Sequence, residues 1–225
     1  MKTLVFDTGP IISLVTDNLL WILEELKKKF QVDFVISSSV KNELVNNALA
    51  TKKFAFEGML INTYINRKVL NLSNLNVNVT DLENCANNIF FALNKPIQLL
   101  QTGELASILL YKKINADALV VDERTTRLLI ENDEKLRKLL EYKLHCKIKV
   151  NNENLKLFKD LTKDMKIIRS SELLFVAYEN NLFDRFKANF TNKELLSSVL
   201  WGTKLRGCSI SEEEINKIVE SIKED

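Results

Sequence analysis

The stretch TGELASILLYKKINADALVVDERTTRLL, Thr102 to Leu129, decides the fold class. Leu105, Ile108 and Leu109 recur at i, i+3 and i+4, the spacing of one helical face. Thr102 offers an N-cap, and Glu104 falls in the first turn, where the helix dipole favours a carboxylate. Lys112 and Lys113 close the helix with cations. After Asn115-Ala116-Asp117 the pattern changes to the apolar β-type run Ala118 to Val121, which ends at Asp122, and ERTTRLLIEN then returns to helix. A helix, a short apolar strand and another helix in succession form the repeating unit of a parallel sheet.

The amino terminus follows the same logic. Thr3 to Phe6 is an apolar run ending at Asp7, and the Gly9-Pro10 pair is expected to turn the chain toward a helix with Leu19, Leu20, Leu23 and Leu26 on one face. Lys27, Lys28 and Lys29 suit the end of that helix. Val32 to Ile36 reads as the next strand. Ser37, Ser38 and Ser39 offer N-caps for a helix with Val40, Leu44 and Ala48 inside and Glu43 in its first turns. Two strands ending in Asp, joined by helical crossovers, predict an α/β fold with a central parallel sheet whose carboxyl edge collects the site.

Between Thr51 and Gln101 the pattern is weaker. Phe54, Phe56, Leu60, Tyr64 and Ile65 suggest a helix, NLSNLNVNVTDLENC a strand or loop, and ENCANNIFFALN another helix. The polar segment from Glu131 to Asp164 reads as an insertion holding a helix and HCKIKV. Met165 to Ile168 is expected to be a strand, followed by a helix capped by Ser170 or Ser171 with Leu173, Leu174 and Ala177 inside. Two tail helices are expected, Asn192 to Leu205 and Glu212 to Ile222, the second opening with a Ser211 and Glu214 capping box.

Composition narrows the class. The 225 residues are 46% hydrophobic and 28% charged, ordinary globular usage with enough apolar residues for a sizeable core. The formal net charge is +2, and an acidic cluster reserved for metal would leave the remaining surface more basic than that sum, so nucleic acid stays a candidate partner. Cys85, Cys146 and Cys208 are widely spaced with no CxxC pair, which supports neither a disulfide framework nor a zinc ribbon and fits a reducing cytoplasm. Asp7, Gly9 and Pro10 interrupt the opening apolar stretch, so no signal peptide is expected, and no apolar run is long enough for a membrane span.

Asp7, Glu43, Glu104 and Asp122 each have a sufficient local role. Asp7 suits a turn, Glu43 and Glu104 suit helix first turns, and Asp122 can cap the following helix. Together they read differently. Carboxylates gathered from strand ends and helix starts repel one another unless a cation compensates, and hard oxygen ligands suit Mg²⁺ or Mn²⁺. Asp117, just before its strand, reads as a capping or turn residue rather than a ligand. The single histidine, His145, lies in the polar insertion and reads as surface or packing, which argues against a zinc site or a histidine base. Phosphatase chemistry of the haloacid dehalogenase type would want a second Asp two residues after Asp7, where Gly9 stands. Phe54, Phe56, Phe90 and Phe91 are read as core rather than base-stacking groups.

The stretches VFDTGPIISL, VISSSVKNELV, TGELASILLYKKINADALVVDERTTRLL and, more weakly, MKIIRSSELLFVAYENNLF resemble the PIN-domain nucleases, and within them the archaeal and bacterial proteins related to VapC-type toxins. The resemblance implies a three-layer α/β/α PIN-like domain over residues 1–185, with insertions around 50–100 and 131–164, and a C-terminal helical extension over 186–225. It implies catalytic roles for Asp7, Glu43, Glu104 and Asp122, and metal ligation by Asp7, Glu104 and Asp122 with Glu123 as an auxiliary ligand. Thr8 or Ser13 would orient Asp7 or a metal-bound water. Thr8, Lys41 and Arg124 are the candidates for holding substrate.

The implied activity is a toxin-related or RNA-processing ribonuclease that hydrolyses a phosphodiester with metal-activated water, using Mg²⁺ or Mn²⁺. RNA as substrate, an antitoxin protein as partner and assembly into homo-oligomers follow from the same resemblance, and the lack of a long apolar run leaves no membrane expected as a partner. The alternative is a catalytically weak or inactive PIN fold serving as an RNA-binding or protein-interaction module. Two departures bear on this: about sixty residues separate Glu43 from Glu104, more than compact members need, and the third acid is a Glu where many members have Asp.

Overall fold

Five short strands form one parallel sheet in the order β3-β2-β1-β6-β8, seen in a computed structural model that describes residues 1–222. They are β1 (Thr3–Phe6), β2 (Asp33–Ile36), β3 (Leu70–Leu72), β6 (Ala118–Val120) and β8 (Ile167–Ile168). The register runs from Thr3 opposite Asp33 to Phe6 opposite Ile36 on one side of β1, and from Leu4 opposite Ala118 to Phe6 opposite Val120 on the other. Parallel neighbours require crossover connections, and helices here supply them. Successive residues of β1 point to opposite faces: Phe6 joins a core with Phe34, Ile36, Leu23 and Leu174, while Val5 joins another with Leu119, Ile108 and Leu129. The expected three-layer α/β/α arrangement follows from this alternation, with apolar surface buried on both sides of the sheet.

The first crossover differs from its expectation. Gly9 and Pro10 do not turn the chain; α1 (Thr8–Thr16) begins directly after Asp7, which occupies the N-cap position. Proline is tolerated in a first helical turn because no intrahelical partner awaits its missing N–H there. A break near Asn18, whose φ is 56°, separates α1 from α2 (Trp21–Phe30), so two helices stand where one was read. After β2, Ser37 caps α3 (Ser38–Lys41) by accepting from the Val40 N–H at 3.2 Å. The helix then widens into a π-helical segment, Asn42–Asn47, which carries Glu43.

The middle of the chain was the least legible. Helix α4 (Ala55–Asn66) leads into β3, which extends the main sheet, so this part is not an excursion from it. Phe54 and Phe56 are 46% and 69% exposed rather than core, because α4 buries Gly58, Ile61 and Ile65 instead. ENCANNIFFALN is not one helix: α5 (Thr80–Ala86) stops, and Phe90–Ala92 form β4, with Phe90 buried. The stop is Asn87, whose Oδ1 accepts from the Leu99 and Leu100 N–H groups at 2.7 and 2.9 Å while its Nδ2 donates to the Leu100 carbonyl at 3.0 Å.

Strand β4 pairs antiparallel with β5 (Lys95–Pro96) and with β7 (Ile148–Val150). Two segments read separately as insertions therefore share one small sheet. The second segment contributes α8 (Asp133–Leu144), β7 and α9 (Asn152–Thr162), and His145 is an exposed left-handed residue closing α8.

Helices α6 (Thr102–Ile114) and α7 (Arg124–Glu131) flank β6 as expected, although Gln101 rather than Thr102 holds the N-cap position of α6. Asp117 accepts from the Thr3 N–H at 2.7 Å, a strand-start tie that matches its reading as a capping residue. After α10 (Ser170–Glu179), the tail forms α11 (Asn192–Leu205) and α12 (Glu212–Glu220) around a third cluster of Leu196, Leu200, Ile210 and Ile215. It is tied to the main body by Arg206 Nε donating to Asp17 at 3.1 Å and by the Ser209 N–H donating to the Asp122 carbonyl at 3.1 Å. Positions 223–225 of the expected extension lie outside the described residues. Among the described residues no helix is long and apolar enough to cross a membrane.

Removing the Asn87 side chain leaves two loop N–H groups and a carbonyl beside a buried leucine without partners. Asn87→Ala should lower stability in urea unfolding by about 1–3 kcal/mol. Asn87→Asp should cost less, because a carboxylate still accepts both N–H bonds.

Candidate active site

The sheet order reverses direction between β1 and β6, and clefts outside such a switch point are where open α/β sheets place ligands. Asp7 ends β1 and Asp122 follows β6 at this point. A cavity of about 530 Å³ opens there, lined by Asp7, Thr8, Glu43, Gly103, Glu104 and Glu123, among others. The cavity is acidic, with four carboxylates contributed by four different elements.

Each acid is held by identifiable partners. Thr8, the first residue of α1, donates its hydroxyl to Glu43 Oε2 at 2.5 Å. Glu104 sits at the third position of α6; its Oε2 accepts from the Gln101 N–H at 2.8 Å, and its Oε1 accepts from the Thr126 hydroxyl on α7. Glu123 caps α7 by accepting from the Thr125 N–H at 3.1 Å and remains exposed at the rim. Gly103 has a specific reason to be glycine. A Cβ there would stand 2.6 Å from Glu43 Oε1 and 2.9 Å from Oε2, so α6 approaches the glutamate as closely as only glycine allows.

Asp122 is placed differently from the other three expected catalytic acids. It is 2% exposed; its Oδ1 accepts from the Ser170 N–H at 2.8 Å, and its Oδ2 accepts from the Ser170 hydroxyl at 2.7 Å and the Ser13 hydroxyl at 3.2 Å. Its carboxylate does not line the cavity. Ser170 was expected to cap α10, but Arg169 takes that position and Ser170 turns to Asp122. Ser13, expected beside Asp7, bonds Asp122 instead, and the Thr8 hydroxyl goes to Glu43 rather than to Asp7.

The expected substrate-holding cations separate as well. Lys41 lines neither this cavity nor its neighbour, while Arg124 lies in an adjacent basic pocket. Lys112 and Lys113, the cations that close α6, are tied to the Lys163 and Asn76 carbonyls at 2.9 and 3.0 Å. Gln101, Gly103, Thr126 and Ser170 were missed as partners of the acids. Only the Gln101 to Glu104 spacing of three carried a local signal; Gly103, Thr126 and Ser170 meet their acids through packing of distant segments.

Burial and like charge dominate the electrostatics. Asp7 is 4% exposed and its pKa is pushed from 3.8 to about 7 by desolvation first, then by the charge of Glu104, with the N–H groups of Thr8 and Gly9 pulling the other way. Its Oδ1 is buried without a hydrogen-bond partner among the described residues. Desolvation also raises Glu104, against the bonds from Gln101 and Thr126. An orphaned carboxylate oxygen and an all-oxygen donor set suit a hard divalent cation. As placed, however, no three Asp, Glu, His or Cys side chains among the described residues converge to hold a metal ion. Glu43 Oε2 is bonded to Thr8, and both oxygens of Glu104 are bonded to Gln101 and Thr126.

A family model described as a PIN domain matches residues 3–137, more than half of the chain and the part that holds all of the acids above. No curated protein and no solved structure matches the sequence.

The raised pKa of Asp7 makes stability depend on pH. Because the folded state binds a proton that the unfolded chain releases near 3.8, this contribution is fully present below that pH and is lost as pH rises through about 7. In EDTA, Asp7→Asn should therefore gain on wild type as pH increases from 4 to 8. The difference should reach on the order of 2–4 kcal/mol in denaturant titrations.

Proposed function

The chain belongs to the PIN-domain family, a nuclease-type fold, and we propose that it is a metal-dependent ribonuclease acting at the acidic cavity. The observation that supports this best is the meeting of Asp7, Glu43 and Glu104 on one cavity at the sheet's switch point, with a buried Asp7 oxygen lacking any partner among the described residues. Mg²⁺ or Mn²⁺, when bound, supplies charge neutralisation at the scissile phosphate and lowers the pKa of water. Asp7, Glu43 and Glu104 are the residues that would hold it, with Glu123 at the rim.

The chain's other groups act by positioning. Thr8 orients the Glu43 carboxylate, and Thr126 together with the Gln101 N–H orients Glu104. Gly103 leaves room for Glu43 beside α6. In this reading Asp122 is a positioning residue. It locks α1 and α10 against the end of β6 and thereby sets where Asp7 begins its helix. No side chain need serve as a covalent nucleophile.

A second reading, a weak or inactive fold that binds RNA or a protein, draws on the present orientation of Glu43 and Glu104 toward protein partners rather than toward a common point. Cleavage separates the two. With a mixed RNA pool and Mg²⁺ or Mn²⁺, wild type should cleave, and Asp7→Asn and Glu104→Gln should each lose at least about 100-fold. Equal activity in wild type and Asp7→Asn would assign the cleavage to a contaminant. Gly103→Ala should reduce cleavage by about tenfold or more, since small misplacement of a catalytic group is enough for losses of that order. Its melting temperature should change little, because the added methyl displaces only the end of Glu43.

A further inference from the structure

A second cavity, about 540 Å³, begins at Arg124, the residue that follows Glu123 of the acidic one. Arg124, Arg127, Lys135, Arg169 and Lys204 line it with a single carboxylate, Glu214. Two of these cations are engaged. Arg127 pairs with Glu131 at 3.6 Å and donates to the Ser209 hydroxyl at 2.8 Å. Arg169, almost buried, is held by Glu172 and Glu214 and donates to the Ser209 carbonyl at 3.0 Å.

The remaining three have no carboxylate partner among the described residues. Lys204 reaches only the Ile210 carbonyl, at 3.3 Å, and the face of Trp201. Arg124 and Lys135 are exposed, and among the described residues their side chains make no hydrogen bond. Like charges brought together around a concavity raise the local potential unless an anion compensates, and Arg and Lys around hydroxyl groups make a phosphate seat.

The position of the pocket says which phosphate. Glu123 lines the acidic cavity and Arg124, the next residue, lines the basic one. Ser209, which lines the basic cavity, donates its N–H to the Asp122 carbonyl, so the two cavities are neighbours along residues 122–124. A strand whose scissile phosphate enters the acidic cavity must have further phosphates beyond it, and the acids themselves repel them. The family match stops at residue 137, whereas Arg169 and, in the tail, Lys204, Ser209 and Glu214 come later, so the pocket is completed by residues beyond the match.

We propose that this pocket binds a phosphate of the substrate strand other than the one being cleaved, and that the tail is present in part to complete it. The proposal rests on the nuclease reading for its substrate. Its test is direct binding. A fluorescein-labelled single-stranded oligoribonucleotide, titrated with the full chain in EDTA across a range of KCl, should bind Arg124→Ala/Lys135→Ala at least tenfold more weakly than wild type. The slope of log affinity against log salt should fall in magnitude by about 0.7 for each phosphate that the variant no longer neutralises. Lys204→Ala should act in the same direction, and Lys52→Ala/Lys53→Ala, at residues that do not line the pocket, should match wild type.

Unchanged affinity and salt slope in the double variant would overturn the pocket even if wild type cleaves RNA normally. A weakened double variant in a protein that cleaves nothing would keep the pocket and remove the nuclease reading. A poly-glutamate chain of equal charge that competes as well as unlabelled oligoribonucleotide would assign the pocket to an acidic protein partner and overturn the proposal.

Discussion

The buried carboxylate of Asp122 is the constraint on which the arrangement of the active face depends. Removed from water, it needs full hydrogen bonding, and it takes three donors from Ser13 and Ser170. Those donors belong to α1 and α10, which are more than 150 residues apart in sequence. The backbone carbonyl of the same residue receives the Ser209 N–H from the tail. One strand end thus ties together the first crossover, the helix after the last strand and the C-terminal extension.

With that strand end anchored, the other acids occupy the opening beside it and are left in electrostatic conflict. Asp7 carries the largest share: it is buried, lies in the field of Glu104, and has one oxygen without a partner among the described residues. Thr8, Thr126 and Gln101 neutralise part of the conflict by bonding Glu43 and Glu104. Uncompensated buried charge of this kind is unfavourable for folding and useful for binding a cation, because the cation offsets what the fold could not. The basic pocket beyond residues 122–124 is the complement, an excess of positive charge supplied by Arg124, Arg127, Lys135 and Arg169 and completed by Lys204 of the tail, next to an excess of negative charge at the sheet edge.

Much of the fold was legible locally. Strands β1, β2, β6 and β8 and helices α6, α7, α10, α11 and α12 follow from apolar runs and helical stripes, because short parallel strands buried on both faces are uniformly apolar. The region from 73 to 101 was not legible. ENCANNIFFALN satisfies a helical pattern as well as a strand, and pairing with the two-residue β5 on one side and with β7, over fifty residues later, on the other selects the strand for Phe90–Ala92. The split of the first crossover at Asn18 was hidden for a similar reason: α1 and α2 each supply apolar residues that one longer helix could have supplied.

By itself the sequence determined the chemistry available: which strands end in carboxylates, that the acids fall at strand ends and helix starts, and that no histidine or cysteine set competes with them. Local propensity and periodicity carry that information, since each depends on neighbours within a few residues. Tertiary structure decided which acids share a cavity. Asp7, Glu43, Glu104 and Glu123 line it, while Asp122, equivalent to Asp7 in its sequence setting, turns inward to Ser170. The difference is made by a donor pair that α10 delivers from a distant part of the chain, and hydrogen bonding across such a separation leaves no pattern in the residues around either partner.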